Sequence, residues 1–336
     1  MRINIYYPFK DTAYGGGNQF LKALRDTWIK NNLYAKDPLD ADVIIVNSHH
    51  FQNIKLIQHL KSRNNTVIIH RIDGPIQKVR GKDASVDHMI YFFNHNVADG
   101  TIFQSEWSKE ENYLLGYEKN RFETVIPNAP DPDIFYPLHS TRCGGRVRII
   151  ATSWSGNLNK GFDIYKFLDN HLDFNQFQMT FAGNSPIEFQ NIQNLKPLPS
   201  KELADILRQH DIYITASRNE PYSNSLIEAL HCKLPAVYRI GSSHGTIVGN
   251  GGEGFRGKDD VLVTIENVTR NIEKYRSLIH LKTLEEVADA YYLFCRNIYE
   301  NSQDSNYHPK RFSLSTLYRI IFDTSIQNAK RYVPFP

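Results

Sequence analysis

Two hydrophobic rhythms alternate along the chain. Ile3, Ile5 and Tyr7 predict a first strand, and from Asn18 onward Phe20, Leu21, Leu24 and Trp28 fall at helical spacing. Residues 43–46 and 66–70 are short apolar runs that read as buried strands, with a helix predicted across 51–60 between them. Val86, Ile90, Phe93 and Val97 form the apolar stripe of a further helix, residues 100–105 a strand leading to a helix around Trp107, and 124–128 the end of the first half. The same order then recurs. Strands are predicted at 146–151, 178–183, 211–215 and 234–239, and helices contain Phe162, Ile164, Tyr165 and Leu168, then residues 199–207, then Leu226, Ile227, Ala229 and Leu230. Two helical patterns, 279–299 and 314–326, complete the chain. Strands alternating with helices specify an α/β chain with parallel sheets. Between the halves, residues 126–137 carry Pro127, Pro130, Pro132 and Pro137, as an extended linker should. The expected division is a domain over 1–138 and another over 139–309.

Composition narrows the class. At 336 residues there is length for two domains that each bury a core, and 41% hydrophobic with 22% charged residues is ordinary for a globular protein. The formal net charge of +3 offers no concentrated basic stripe for nucleic acid. Cys143, Cys232 and Cys295 lie far apart, so neither a zinc site nor a disulfide framework is indicated and reduced thiols are expected. The start of the chain is too short and polar-interrupted for a signal peptide, and no window reaches the length of a membrane span. A cytoplasmic protein is expected, with room for a peripheral membrane contact.

The chemistry concentrates in residues 217–230. Here a buried strand ends, Pro221 stops regular structure, and Ser223, Asn224 and Ser225 can each cap the helix that follows. The first turn of a helix has unpaired N–H groups and a partial positive charge, so it can take a phosphate. Glu220 and Glu228 flank it, and carboxylates accept hydrogen bonds from hydroxyls, which together suggests a sugar or ribose attached to phosphate. A capping box, with Glu228 reaching back from Ser225-x-x-Glu228, is the alternative reading. Two more strand-to-helix loops fit an anion: Gly15, Gly16 and Gly17 after the first strand, and Lys160-Gly161 after residues 146–151, where the lysine is a point charge. His49 and His50 also end a strand, but no third metal ligand accompanies them.

Glu220-Pro-Tyr-Ser-Asn-Ser-Leu-Ile-Glu228 resembles the Glu-x7-Glu signature of retaining nucleotide-sugar glycosyltransferases (group 1, family-4-like) with the GT-B architecture, in which two Rossmann-like domains face each other across a cleft. The glycine loop, histidine strand, Pro-Asn linker, Lys-Gly loop and Glu pair follow in that family's order. The resemblance implies Glu220 against the donor hexose and Glu228 against the ribose hydroxyls. It implies Gly16, Gly17, Lys160, Arg218, Tyr222, Ser223, Asn224 and Ser225 around the diphosphate donor, with His70, Lys160 and Glu220 as the catalytic set. The family's usual arginine ahead of Lys-Gly is absent, with Trp154, Ser155 or Asn157 near its place; Arg218 or Arg71 could compensate. Residues 240–254 resemble the family's Gly-Gly-x-x-Glu loop, and this much glycine implies mobility or close approach to a ligand. Asp131-x-Asp133 lies in the linker, which argues against a metal motif. The expected cofactor is none beyond the nucleotide diphosphate sugar, without metal; the expected acceptor is a glycan or a lipid-linked hydroxyl. Residues from about 310 are expected to pack back on the first domain. A nucleotide-sugar epimerase and a non-catalytic nucleotide-sugar-binding scaffold share the architecture and stay open at this point.

Overall fold

The computed structural model describes residues 1–10, 15–51, 53–81, 84–138, 145–304, 306–311 and 313–332. Cys143 and the start of the glycine loop, residues 11–14, lie outside them. The chain forms two compact units. The first comprises Met1–Phe9, Leu24–Pro127 and Glu285–Pro336; the second comprises Lys10–Ala23 and Asn128–Leu284.

In chain order the first part has β1 (Ile3–Tyr6), α1 (Gly16–Lys30), β2 (Val43–Asn47), α2 (Ile54–Asn64), β3 (Val67–Ile72), α3 (Ile76–Arg80), α4 (Ser85–Val97), β4 (Gly100–Phe103), α5 (Glu106–Leu114) and β5 (Phe122–Val125). Its five strands are parallel and lie side by side in sequence order, β1-β2-β3-β4-β5. Then come β6 (Val147–Ser153), α6 (Phe162–His171), β7 (Phe177–Gly183), β8 (Gln193–Leu195), α7 (Ser200–Arg208), β9 (Ile212–Thr215), α8 (Asn224–His231), β10 (Ala236–Arg239), α9 (His244–Val248), β11 (Gly252–Phe255), α10 (Val261–Arg270), α11 (Ile272–Ser277), α12 (Leu284–Gln303) and α13 (Leu314–Tyr332). The second sheet is also parallel, ordered β11-β10-β9-β6-β7-β8.

Both faces of the second sheet are covered. Val147, Ile149, Ala151, Ile212 and Ile214 point into one apolar cluster with α6 and α10, while Ile150 and Tyr213 point into another with α7 and α8. Covered faces explain why these strands read as continuous apolar runs, not alternating ones. Phe135, from the proline-rich segment, is buried in the second cluster, and Asp131 folds that segment into a turn whose Ile134 and Phe135 N–H groups donate to its carbonyl.

In the first unit a buried Asp99 gathers the chain together. Its carboxylate accepts from Lys61 Nζ at 2.7 Å, Ile68 N–H at 2.7 Å, Tyr307 OH at 2.8 Å and Lys310 N–H at 2.7 Å. Arg71, fully buried on β3, donates to Tyr291 of α12 at 3.1 Å and to Asp73 at 2.8 Å. The resemblance led us to expect only residues from about 310 against this part; α12 joins it as well, from Glu285 onward.

Two sequence expectations shift. Strand β3 does not end at His70 but continues through Arg71 to Ile72, because Ile72 still has a core position to fill. The glycine-rich residues 240–254 form regular structure, α9 and β11. Gly252 is needed for close approach to protein: a Cβ there would lie 1.9 Å from the Ala236 carbonyl oxygen of the neighbouring strand.

Candidate functional site

The order of the second sheet locates its site. From β6 the chain moves outward through β7 and β8, then returns to the other side of β6 for β9, β10 and β11. Ligands of open parallel sheets bind at such a reversal, beyond the strand carboxyl ends. The two loops that leave there are residues 154–161, after β6, and 216–223, after β9. They carry Lys160 and Glu220.

These loops are locked to one another. Gly161 has a left-handed φ of 79°, and a Cβ there would sit 2.1 Å from the Ala216 carbonyl oxygen. The Arg218 N–H donates to the Asn159 carbonyl at 2.7 Å. As a result Lys160 Nζ meets Glu220 Oε2 at 2.5 Å, both half-buried. Behind Glu220 its own carbonyl accepts from the N–H and the hydroxyl of Ser243, at 3.2 and 2.9 Å.

Helix α8 begins immediately after this loop. Ser223 is its N-cap, accepting from Leu226 N–H at 3.4 Å. That assignment removes the capping-box reading: the residue three beyond the cap is Leu226, and Glu228 lies two further on. Neither α8 nor α1 has an acidic residue in its first turn, as suits an anion. Ser225 Oγ accepts from the buried Tyr213 hydroxyl at 3.0 Å, which also lies 3.0 Å from Thr152 Oγ1. Burial pushes the Tyr213 phenol up to about 12, with the charges of Glu228 and Glu220 adding to the rise. Tyr222 is half-buried, its ring packed on the α7–α8 cluster.

Glu228 is buried inside α8, and among the described residues no hydrogen bond reaches its carboxylate. Burial alone pushes its pKa up to about 8. A largely buried acid without a protein hydrogen bond is costly to ionise, and such groups concentrate at functional sites.

The glycine loop joins this arrangement through residues 10–23, which belong to the second unit. Gly16, the first residue of α1, abuts Asn224, the first of α8; a Cβ on Gly16 would fall 2.3 Å from the Asn224 Cβ, whereas one on Gly17 would meet nothing within 4 Å. Asn18 holds Lys10 in both directions, donating to its carbonyl at 2.9 Å and accepting from its N–H at 3.0 Å. Asn128, from the Pro-Asn segment, donates to Asn224 Oδ1 at 2.9 Å.

The remaining expected residues fall elsewhere. Arg218 Nη2 pairs with Asp163 Oδ2 at 2.6 Å, and Arg239 approaches the same oxygen at 3.5 Å. Arg71 is held in the first unit's core and presents no surface that could replace the absent arginine. His70 is likewise fully buried, packed on Phe51 and Phe93. Its Nε2–H donates to the Ser48 carbonyl at 2.8 Å and its Nδ1 faces the Asn94 amide at 3.2 Å, so both ring nitrogens are used; burial lowers its pKa to about 4. It braces the turn after β2, where Ser48 has a positive φ of 49°. Among the described residues no group of three or more His, Cys, Asp or Glu side chains could hold a metal ion.

Residues not singled out from the sequence are Tyr213, Asp163, Arg239 and His244. His244 is fully buried at the start of α9, its Nδ1 3.1 Å from the Arg239 carbonyl and its Nε2 without a hydrogen-bond partner among the described residues. Burial lowers its pKa, while the charges of Glu220 and Lys160 push it in opposite directions. Only its place in the residues 240–254 loop pointed to it.

No protein-family model matches the chain. In sequence it is similar to the phosphatidylinositol N-acetylglucosaminyltransferase GPI3 subunit of Saccharomyces cerevisiae, 29% identical over 188 residues, which is 45% of this chain and 41% of that protein. The chain thus matches less than half the length of this relative. In structure it is similar to HepE of Anabaena, solved in complex with UDP-glucose: TM-score 0.63 at 12% identity, covering 90% of this chain and 100% of that one. Sucrose-phosphate synthase of Thermosynechococcus elongatus superposes with a TM-score of 0.58 at 14% identity, over 86% of this chain and 78% of that one. These likenesses establish the fold class: two α/β units built on parallel sheets, the GT-B architecture.

Proposed function

We propose that this protein is a retaining glycosyltransferase that moves a hexose from a nucleoside diphosphate sugar to an acceptor hydroxyl. The observation that carries the reading is the arrangement at the sheet reversal. There the Lys160–Glu220 pair lies one loop before an acid-free helix start, and the same helix holds a buried, unpartnered Glu228. In this reading Glu228 accepts from the ribose hydroxyls and Glu220 from the hexose. Lys160 and the first-turn amides of α8, at Asn224 and Ser225, take the diphosphate.

The departing diphosphate gains negative charge as the glycosidic bond breaks, and donors fixed in advance stabilise that charge more than they stabilise the bound substrate. Lys160 is held for this by Glu220, which it exchanges for phosphate when the donor arrives. Arg218 can likewise exchange Asp163 for phosphate and stand in for the family's arginine. The acceptor hydroxyl attacks on the face the diphosphate leaves, and a donor phosphate oxygen takes its proton, so configuration is retained without a protein nucleophile or a metal. His70, enclosed in the first unit, supports a turn in this scheme and takes no proton.

The relatives' names guide the choice of ligands. One is a subunit of a phosphatidylinositol N-acetylglucosaminyltransferase and another was solved with UDP-glucose, so uracil nucleotides and a glycan or lipid-borne hydroxyl come first. The test is a thermal-shift screen against UDP, GDP, ADP and their sugar conjugates, with Glu228→Ala alongside. One nucleotide class should raise the melting temperature of the wild type and leave that of the variant unchanged. No response at concentrations far above a plausible dissociation constant would remove the donor site. Once the donor is known, release of free nucleoside diphosphate only with an acceptor marks a transferase, whereas conversion of the nucleotide sugar alone would make the protein an epimerase.

A further inference from the structure

Helix α13 is apolar on two sides. Leu317 and Ile320 are buried in the core of the first unit, where the helix packs on α2 and α4. On the other side Leu314 is 63% exposed, Tyr318 67%, Phe322 65% and Ile326 37%. At 3.6 residues per turn each step of four turns by about 40°, so the row sweeps about 120° of helix surface. Scattered exposed apolar residues are unremarkable on any protein, but an aligned row marks a contact surface.

The charge around the row is one-sided. Arg311 and Arg319 border it, against the single acid Asp323, which approaches Arg319 at 3.9 Å; the Lys310 ammonium is already engaged, donating to the His95 carbonyl at 2.9 Å. The Arg319 guanidinium is 64% exposed and held alongside, 4.2 Å over the Phe92 ring. Neighbouring helix α2 has no acidic residue and exposes Lys55; the one acid of α4, Asp87, is buried. Among the described residues no helix is long and apolar enough to cross a membrane.

We propose that this face of α13 docks on an anionic bilayer surface, with the helix lying in the plane of the headgroups. Leu314, Tyr318 and Phe322 enter the acyl boundary while Arg319 and Arg311 meet lipid phosphates. A row one helix wide with basic residues along it is the pattern of an interfacial helix. The proposal stands apart from the donor reading, since none of these residues belongs to the second unit.

The test is flotation of the full chain with vesicles of phosphatidylcholine alone and of phosphatidylcholine mixed with phosphatidylglycerol. Wild type should float with the mixed vesicles, less so at raised salt. Leu314→Ser/Tyr318→Ser/Phe322→Ser should lose about tenfold or more of that partitioning. All three side chains are exposed, so the variant should keep the wild-type melting temperature and nucleotide response. Equal flotation of wild type and variant, or none by wild type, overturns the proposal. Self-association of the wild type that the variant abolishes, without vesicle binding, would assign the row to a second copy and overturn it too.

Discussion

Glu228 links stability to ligand binding in opposite senses. Its carboxyl titrates near 8 in the fold and near 4.5 when unfolded, so between those values the native state holds the extra proton. Stability from this group is therefore complete below pH 4.5, falls as pH rises, and is gone above about 8. Glu228→Gln should melt no lower than wild type at pH 5 and several degrees higher at pH 8, in scans at the two values. If the ionised carboxylate accepts the ribose hydroxyls, wild-type nucleotide affinity should climb from pH 6 to 8 and that of the glutamine variant should be weak and flat, by calorimetry. In the proposed reading, Lys160 and Glu220 separate the two ends of the donor. Lys160→Ala should weaken nucleoside diphosphate binding by about ten- to a hundredfold, the worth of a charge-assisted contact. Glu220→Gln frees the lysine, so it should bind the bare diphosphate at least as well as wild type yet lose the added affinity of the sugar conjugate. Equal losses on both ligands would take Glu220 off the hexose.

At the scale of elements, the loop positions decide the geometry, and much of this was legible. Strand, polar loop and helix could be read around 211–230 because a strand covered on both faces is an unbroken apolar run and the cap residues follow it directly. What escaped was whatever depends on register or on distant partners. His70 looked like a strand end because the apolar run 66–69 stops there, but the strand continues with Arg71, a charge paid for by Asp73 and Tyr291, and no local pattern announces a partner 220 residues away. The glycines of 240–254 suggested mobility or close approach to a ligand; Gly252 is instead small so that β11 can lie against β10. Gly161 joins both kinds of constraint, a left-handed φ and a carbonyl 2.1 Å from where a Cβ would be. Gly161→Ala should cost about 1 to 3 kcal/mol or more, measured by denaturant unfolding, and should displace Lys160 enough to blunt the nucleotide response.

At the scale of the molecule, the order of the strands gives the two units different work. The second sheet reverses at β6 and β9 and so opens a crevice at its strand ends, whereas the first runs in chain order through β5. The first unit in turn depends on the far end of the chain. Tyr307 and Lys310 reach Asp99, whose other partners are Lys61 on α2 and the Ile68 N–H on β3, all of them deep in that unit. The residue before β4 therefore holds together a helix, a strand and a segment some two hundred positions later. Lys61 is buried with it, and burial lowers the lysine pKa although Asp99 opposes the shift. Removing the carboxylate would leave that ammonium uncompensated, a loss of about 3 to 5 kcal/mol for a broken buried pair. Asp99→Ala should therefore unfold the first unit at markedly lower denaturant. The proposed donor site lies among residues of the second unit, so a two-step unfolding curve should appear, its later step still raised by the nucleotide. A single transition that drops as one would mean that the second unit cannot stay folded without the first.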